Sequence, residues 1–151
     1  MRLSLDSNIL VYAADSQAGD RHTAALDLVG RAIGVDCVLT LQSLAEFFYV
    51  ATRKAKLEPA EAADYVEDWR AVFPVRAADE DALTEAIEAS VRHRLAFWDA
   101  LLWATVRQAG CRLLLSEDFQ DGWSLGGVTV LNPFAPANAA ALDAALPARR
   151  A

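Results

Sequence analysis

The chain has 151 residues, 54 % of them hydrophobic and 23 % charged. That length and apolar content suit one self-sufficient domain and exclude a disordered chain. Fourteen basic against 21 acidic residues leave a formal charge of −7. Such a balance excludes a protein that coats nucleic acid along its length, but not an enzyme that cuts nucleic acid at a local site.

Leu3-Ser4-Leu5 predicts a short strand over 2–5, ended by Asp6, and a helix follows from Asn8 to Ala14. Ala25, Leu28, Val29, Ala32 and Ile33 recur at helical spacing within 20–33, and Gly34 stops that helix. Residues 37–41 read as a buried strand and 42–54 as a helix with Leu44, Phe47, Phe48 and Ala51 on one face. Pro59 opens a helix over 59–73, whose acidic residues make a solvated face. Residues 72–75 read as an edge strand because of Pro74. Asp79 caps a helix carrying Leu83, Ile87 and Val91 as its apolar stripe. A further helix spans 96–109 and ends at Gly110. Leu113-Leu114-Leu115 is a buried strand, 116–127 a turn-rich loop and 128–131 a last strand. From Ala137 the chain is alanine-rich and reads as a loose helix with Arg149 and Arg150 frayed.

Short apolar strands alternating with helices predict an α/β fold with a mostly parallel sheet covered on both faces. Cys37 and Cys111 sit in apolar runs and read as core residues, not as a disulfide or a metal site. No apolar run approaches the ~20 residues of a membrane span, and the N-terminus has no signal-peptide core. The expected setting is a reducing cytoplasm.

No glycine-rich phosphate or dinucleotide loop is present, and no Gly-x-Ser-x-Gly elbow. His22 and His93 read as solvated helix residues, which leaves no histidine for catalysis or zinc. Carboxylates remain. Asp6 follows the first strand, Glu46 lies one turn into the helix after the second, and Asp118 follows Leu115 by three residues. In a parallel sheet, ligands bind beyond the carboxyl ends of the strands. Asp99 begins an almost wholly apolar helix, with Leu102, Trp103 and Val106 as its face-mates. A carboxylate there is costly to bury without a partner.

Each acid has a second reading. Asp6 fits a helix cap. Glu46 fits a capping box with Ser43. Asp99 fits a first-turn acid favoured by the helix dipole. Asp118 and Asp121 fit turn formers ahead of Gly122. Four caps have no reason to converge on one sheet edge. Carboxylates that do converge repel one another and call for a cation. Oxygen donors without His or Cys favour Mg²⁺ or Mn²⁺.

The opening Leu5-Asp6-Ser7-Asn8-Ile9-Leu10-Val11-Tyr12 resembles the start of PIN-domain ribonucleases. Ser43-Leu44-Ala45-Glu46-Phe47-Phe48 and Trp98-Asp99-Ala100-Leu101-Leu102 are similar to later motifs of the same family. The run from Leu113 to Gly122 is similar to the fourth motif of its VapC toxin branch. The resemblance implies a three-layer PIN-like sandwich over 1–134, followed by a C-terminal tail over 135–151. It further implies that Asp6, Glu46, Asp99 and Asp118 are catalytic metal ligands for Mg²⁺ or Mn²⁺. Asn8 and Ser116 match polar positions that orient those acids, and Asp121 matches an outer acid. Glu117 falls where the family varies and is no candidate. The implied activity is endoribonuclease cleavage of RNA to 3′-hydroxyl and 5′-phosphate ends. The implied partners are a VapB-like antitoxin and a second copy in a homodimer.

Arg53 and Lys54, about 10 Å along the helix from Glu46, are candidate RNA phosphate contacts, although helix-end charges read the same way. Two other functions stay open. One is a Mg²⁺-dependent phosphatase with Asp6 as nucleophile, where Asn8 replaces the usual second acid. The other is a non-catalytic module that binds metal or RNA in the same pocket. Phe47, Phe48, Tyr49 and Val50 make the 42–54 helix apolar beyond one stripe. That predicts a groove, bordered also by the 59–73 helix, for a partner helix.

Overall fold

The structure is a computed structural model that describes residues 1–148. The expected fraying of Arg149 and Arg150 lies outside those residues. In chain order the elements are β1 (Leu3–Leu5), α1 (Ser7–Ala14), α2 (Asp20–Ala32), β2 (Leu39–Thr40), α3 (Leu41–Arg53), α4 (Pro59–Val72) and β3 (Val75–Arg76). Then follow α5 (Glu80–His93), α6 (Phe97–Gln108), β4 (Leu113–Leu115), β5 (Ser124–Leu125), β6 (Val128–Leu131) and α7 (Ala139–Ala145). No helix among the described residues is long and apolar enough to cross a membrane.

β1 pairs parallel with β4, and β4 parallel with β6. On the other side of β1, the Leu3–Cys37 bridge joins it to the chain entering β2, which pairs parallel with β3. The four-stranded sheet runs β1-β4-β6-β5, with only β5 antiparallel, and the two-stranded parallel sheet β2-β3 lies on the far side of β1. Pro74 lies just before the edge strand β3, where its missing N–H costs no ladder bond.

Side chains alternate between two cores, as the period of a strand requires. Leu3, Leu5, Leu113 and Leu115 face α1, α2, α3 and α4. Leu114, Val128 and Val130 face α5 and α6. The result is the three-layer α/β/α arrangement expected from the sequence.

Three local readings need correction. The 116–127 segment is not all loop. Gly126 and Gly127 both have positive φ, which permits a two-residue hairpin between β5 and β6. Phe47 and Phe48 do not share a face: Phe47 is buried and Phe48 is exposed, since consecutive helical residues point 100° apart. On α5 the stripe is reversed. Ala82, Ala86 and Ala89 are buried, while Leu83, Ile87 and Val91 are exposed. The α5 alanines pack into one buried cluster with Ala100, Trp103 and Ala104 of α6.

The C-terminal segment is anchored. Leu142 and Leu146 enter the core against α2, and buried Arg31 of α2 bonds Asp27 (3.2 Å), Asp143 (2.7 Å) and the Leu146 carbonyl. Cys37 and Cys111 are buried free thiols, pushed up to about 12 and about 11 by burial. We expect Leu146→Ala to cost about 2–4 kcal/mol, because it empties a fully buried site. Urea unfolding measures the loss, and proteolysis beyond residue 134 should accelerate with it.

Candidate active site

The chain leaves β1 for β2 on one side, while β4 lies on the other. Such a switch in strand order opens a crevice at the carboxyl ends of the strands. Asp6 and Ser116, the first residues past β1 and β4, stand on either side of it. The Asp6 N–H donates to the Leu115 carbonyl at 2.9 Å, which seals the two strand ends together.

Asp6 does cap α1, its carboxylate accepting the Ser7 N–H at 2.7 Å. Its other oxygen accepts the Ser116 hydroxyl at 2.7 Å. Ser116 in turn accepts the Asp118 N–H (3.1 Å) and the Asn8 amide (3.3 Å). One buried hydroxyl thereby orients Asp6, Asn8 and the backbone of Asp118.

Glu46 is not part of a capping box. α3 begins at Leu41, Thr40 is its N-cap, and Ser43 supplies the N–H that Thr40 accepts. The helix starts one residue earlier than the sequence suggested, because Thr40 ends β2 in extended geometry. Glu46 is therefore free to face the crevice. One of its oxygens accepts the Ser7 hydroxyl and the other accepts the Gln42 amide, each at 2.9 Å. That amide also donates to the Trp98 carbonyl at 2.9 Å, beside Asp99.

The sequence pointed to neither Ser7 nor Gln42 as a site residue. Ser7 carried a signal, being the residue between Asp6 and Asn8. Gln42 carried none, since its partner Trp98 is 56 residues away.

Asp99 is half-buried in the first turn of α6. Burial raises its pKa above the usual carboxylate value, and the charges of Asp118 and Glu46 raise it further. Asp6 is pushed up to about 6, chiefly by burial, against the pull of its bonds to Ser116 and Ser7. Asp118 and Glu46 add repulsion there too. Asp6 and Asp99 thus each feel the charges of Glu46 and Asp118. Among the described residues no arginine or lysine forms an ion pair with any of them. Nor, among those residues, do three or more acidic, histidine or cysteine side chains stand close enough together to hold a metal ion as they are placed. The acids are repelling neighbours around an open space.

Asn8 Oδ1 is a buried oxygen without a hydrogen-bond partner. A neutral oxygen next to the acids adds to a set of hard donors.

The remaining candidates divide. Lys54 lines a cavity of about 360 Å³ with Ser7, Asn8 and Asp118. Arg53 instead lies over the Tyr49 ring at 4.6 Å. Asp121 is held away from the crevice. It accepts the Asn132 N–H (2.8 Å) and the Asn138 amide (3.0 and 2.9 Å), which also hold its pKa low. Glu117 accepts the Tyr12 hydroxyl and pairs with Arg21 at 3.1 Å. His22 is half-buried rather than solvated, with Nδ1 2.8 Å from the Tyr12 carbonyl, whereas His93 is exposed.

A parallel α/β sheet with an acidic crevice at its switch point defines a class of small hydrolase-like folds. A family model described as PIN domain matches residues 3–120, and the chain belongs to that family. No curated protein matches it by sequence. Solved structures show the same fold. One is the sarcin–ricin loop cleaving toxin VapC20 of Mycobacterium tuberculosis, with 20 % identity and a TM-score of 0.64 over 77 % of this chain and 89 % of that one. A toxin–antitoxin complex from Klebsiella pneumoniae matches with 17 % identity and a TM-score of 0.63, over 87 % and 98 % of the two chains. VapBC2 of Rickettsia felis, bound to a promoter DNA fragment, matches with 15 % identity and a TM-score of 0.62, over 86 % and 97 %.

The raised pKa of Asp6 makes a stability prediction. Its unfolded value is the ordinary 3.8 and its folded value about 6. Between those pH values the folded state holds more protons, so stability falls as pH rises. The charged form weakens the fold at neutral pH. Asn caps a helix as well as Asp. In chelator-treated protein we expect Asp6→Asn to raise stability at pH 7 by of order 1–3 kcal/mol, roughly 5 °C in Tm. The gap to wild type should close as pH falls from 6 to 4, and parallel melts across that window check it.

Proposed function

We propose that the chain is a Mg²⁺- or Mn²⁺-dependent endoribonuclease, acting in the cytoplasm as the toxin of a type II toxin–antitoxin pair. The observation that carries this reading is the convergence of Asp6, Glu46, Asp99 and Asp118 on one crevice, with no ion pair to a basic side chain among the described residues. Two carboxylates, Asp6 and Asp99, each harder to charge because of Glu46 and Asp118, with no ion pair to a cationic side chain among the described residues, suit a divalent ion. Asp6, Glu46, Asp99 and Asp118 would hold it, with Asn8 Oδ1 near by. A hard cation there polarises a scissile phosphate, lowers the pKa of an attacking water and stabilises the leaving 3′-oxygen.

The chain's own residues prepare that site. Ser116 and Ser7 hold the carboxylate planes of Asp6 and Glu46, so the donor directions are set before substrate arrives. Lys54, across its cavity from Asp118, meets the next phosphate of the strand. Arg53 stays at the outer rim. Asp121 holds the chain after β6, and through it the loop that carries Asp118. The likeness to VapC20, described as cleaving the sarcin–ricin loop, supports an RNA substrate.

The partner is a VapB-like antitoxin helix, in keeping with the toxin–antitoxin complexes of the same fold. Two grooves flank α3. One, of about 690 Å³, lies between α3 and α4 and is walled by Leu44, Phe48, Val66 and Val75. The other, of about 770 Å³, is walled by Tyr49, Trp98 and Leu101 and ends at Glu46. Leu41 and Ala45 form the ridge between them. Leu41, Tyr49 and Trp98 are each more than half exposed, which is unusual for side chains this apolar. An amphipathic helix covers such a surface, and a basic residue at its end meets Glu46. A homodimer, the other expected assembly, has the exposed α5 stripe of Leu83, Ile87 and Val91 for its contact.

Asp99→Asn and Asp118→Asn should each lower metal-dependent RNA cleavage by more than about 100-fold while the protein still folds. Sequencing of RNA ends after induction reads the activity, and normal cleavage by either variant removes that acid from the site. Millimolar Mn²⁺ should raise Tm, by up to about 2.7 kcal/mol of stability at a hundredfold excess over Kd, and chelator should abolish cleavage. For the partner, Leu41→Asp with Tyr49→Asp should abolish co-purification with the small protein encoded next to this chain. Undiminished capture by that folded variant would take α3 out of the interface.

A further inference from the structure

The four acids are joined by one hydrogen-bonded chain. The Asp118 N–H bonds Ser116, Ser116 bonds Asp6, and Ser7 bonds both Asp6 and Glu46. Gln42 then joins Glu46 to the Trp98 carbonyl, one residue before Asp99. Those last two links leave a single nitrogen. A primary amide has two N–H groups, and both are used here, each at 2.9 Å. Among the described residues no other hydrogen bond joins α3 to α6.

The arrangement has a cost. Gln42 Oε1 is buried without a hydrogen-bond partner. An orphaned buried acceptor costs about 1–3 kcal/mol. A residue serving only to pack α3 against α6 would be better apolar. Glutamine makes sense if the fork of its NH₂ group is what the site requires.

We propose that Gln42 is a positioning residue that fixes Glu46 relative to Asp99. It holds one Glu46 oxygen while pinning the first turn of α6, so the spacing between the two carboxylates is set by one planar amide. The proposal rests on the reading that these acids bind a divalent cation. Without the strut, Glu46 turns towards Ser7 alone, and the first turn of α6 recoils under the repulsion that Glu46 and Asp118 exert on Asp99.

The test is Gln42→Met, which keeps the length and helix preference but removes both donors. Gln42→Leu serves if the methionine variant does not fold. Calorimetric titration of metal-stripped protein with Mn²⁺ should show about tenfold weaker binding. KM for RNA should stay within about twofold, while kcat falls at limiting Mn²⁺ and recovers when Mn²⁺ is raised about tenfold. A purely structural tie predicts something else: a lowered Tm with Mn²⁺ affinity unchanged, and no recovery with added metal. That result overturns the proposal, as does failure of both variants to fold. Wild-type protein that binds Mn²⁺ but cuts no RNA would sink the nuclease reading, and the calorimetric comparison would still decide Gln42.

Discussion

Repulsion among four carboxylates is the constraint around which this fold is organised. The charges of Glu46 and Asp118 raise the cost of charging both Asp6 and Asp99, and among the described residues no basic side chain forms an ion pair with any of the four. Among the described residues no cationic side chain pairs with them, and neutral donors hold them in place. Ser116, Ser7 and Gln42 do so, and each donates a hydrogen bond to one of the acids or to the backbone beside it. Hydroxyls and an amide orient a carboxylate without cancelling its charge. That distinction separates these acids from a buried salt bridge and suits the cation proposed for them.

The scaffold supplies the rest. Parallel strands deliver their carboxyl ends to one edge, and the reversal of strand order at β1 opens that edge. Asp6 and Ser116 come from adjacent strand ends and have little freedom. Glu46 and Asp99 come from helices in different layers, α3 on one face of the sheet and α6 on the other. Their relative position depends on side-chain packing and on the amide between them. The geometry of the strand-borne pair is thus set by the sheet, and that of the helix-borne pair by a single glutamine.

On the proposed reading, an acidic protein has to separate attraction of RNA from the chemistry done on it. Here the cations are few and sit at the rim. Lys54 shares a cavity with Asp118, and Arg53 is stacked on Tyr49. The apolar ground beside the acids is larger than the basic ground. Two grooves flank α3, and one of them ends at Glu46. A protein helix seated there would lie within reach of the carboxylates proposed to serve the reaction, so on that reading binding and inhibition would be one event.

The sequence by itself determined the alternation of strands and helices, the parallel sheet, and the four acids. Each of these is written in local pattern: apolar runs of strand length, helical spacing, and carboxylates just past the strands. It did not determine which way α5 turns. Leu83, Ile87 and Val91 are the larger residues and make the stronger apolar pattern, yet it is the alanines that face inward and pack with α6. Phe48 likewise faces solvent, although its composition suggested the core. Gln42 could not be read at all, because its role lies in two bonds, one of them to a carbonyl 56 residues away. Local periodicity encodes what a segment becomes. Which face it buries, and which distant atom it meets, depends on the shape of its neighbours, and that exists only once the chain has folded.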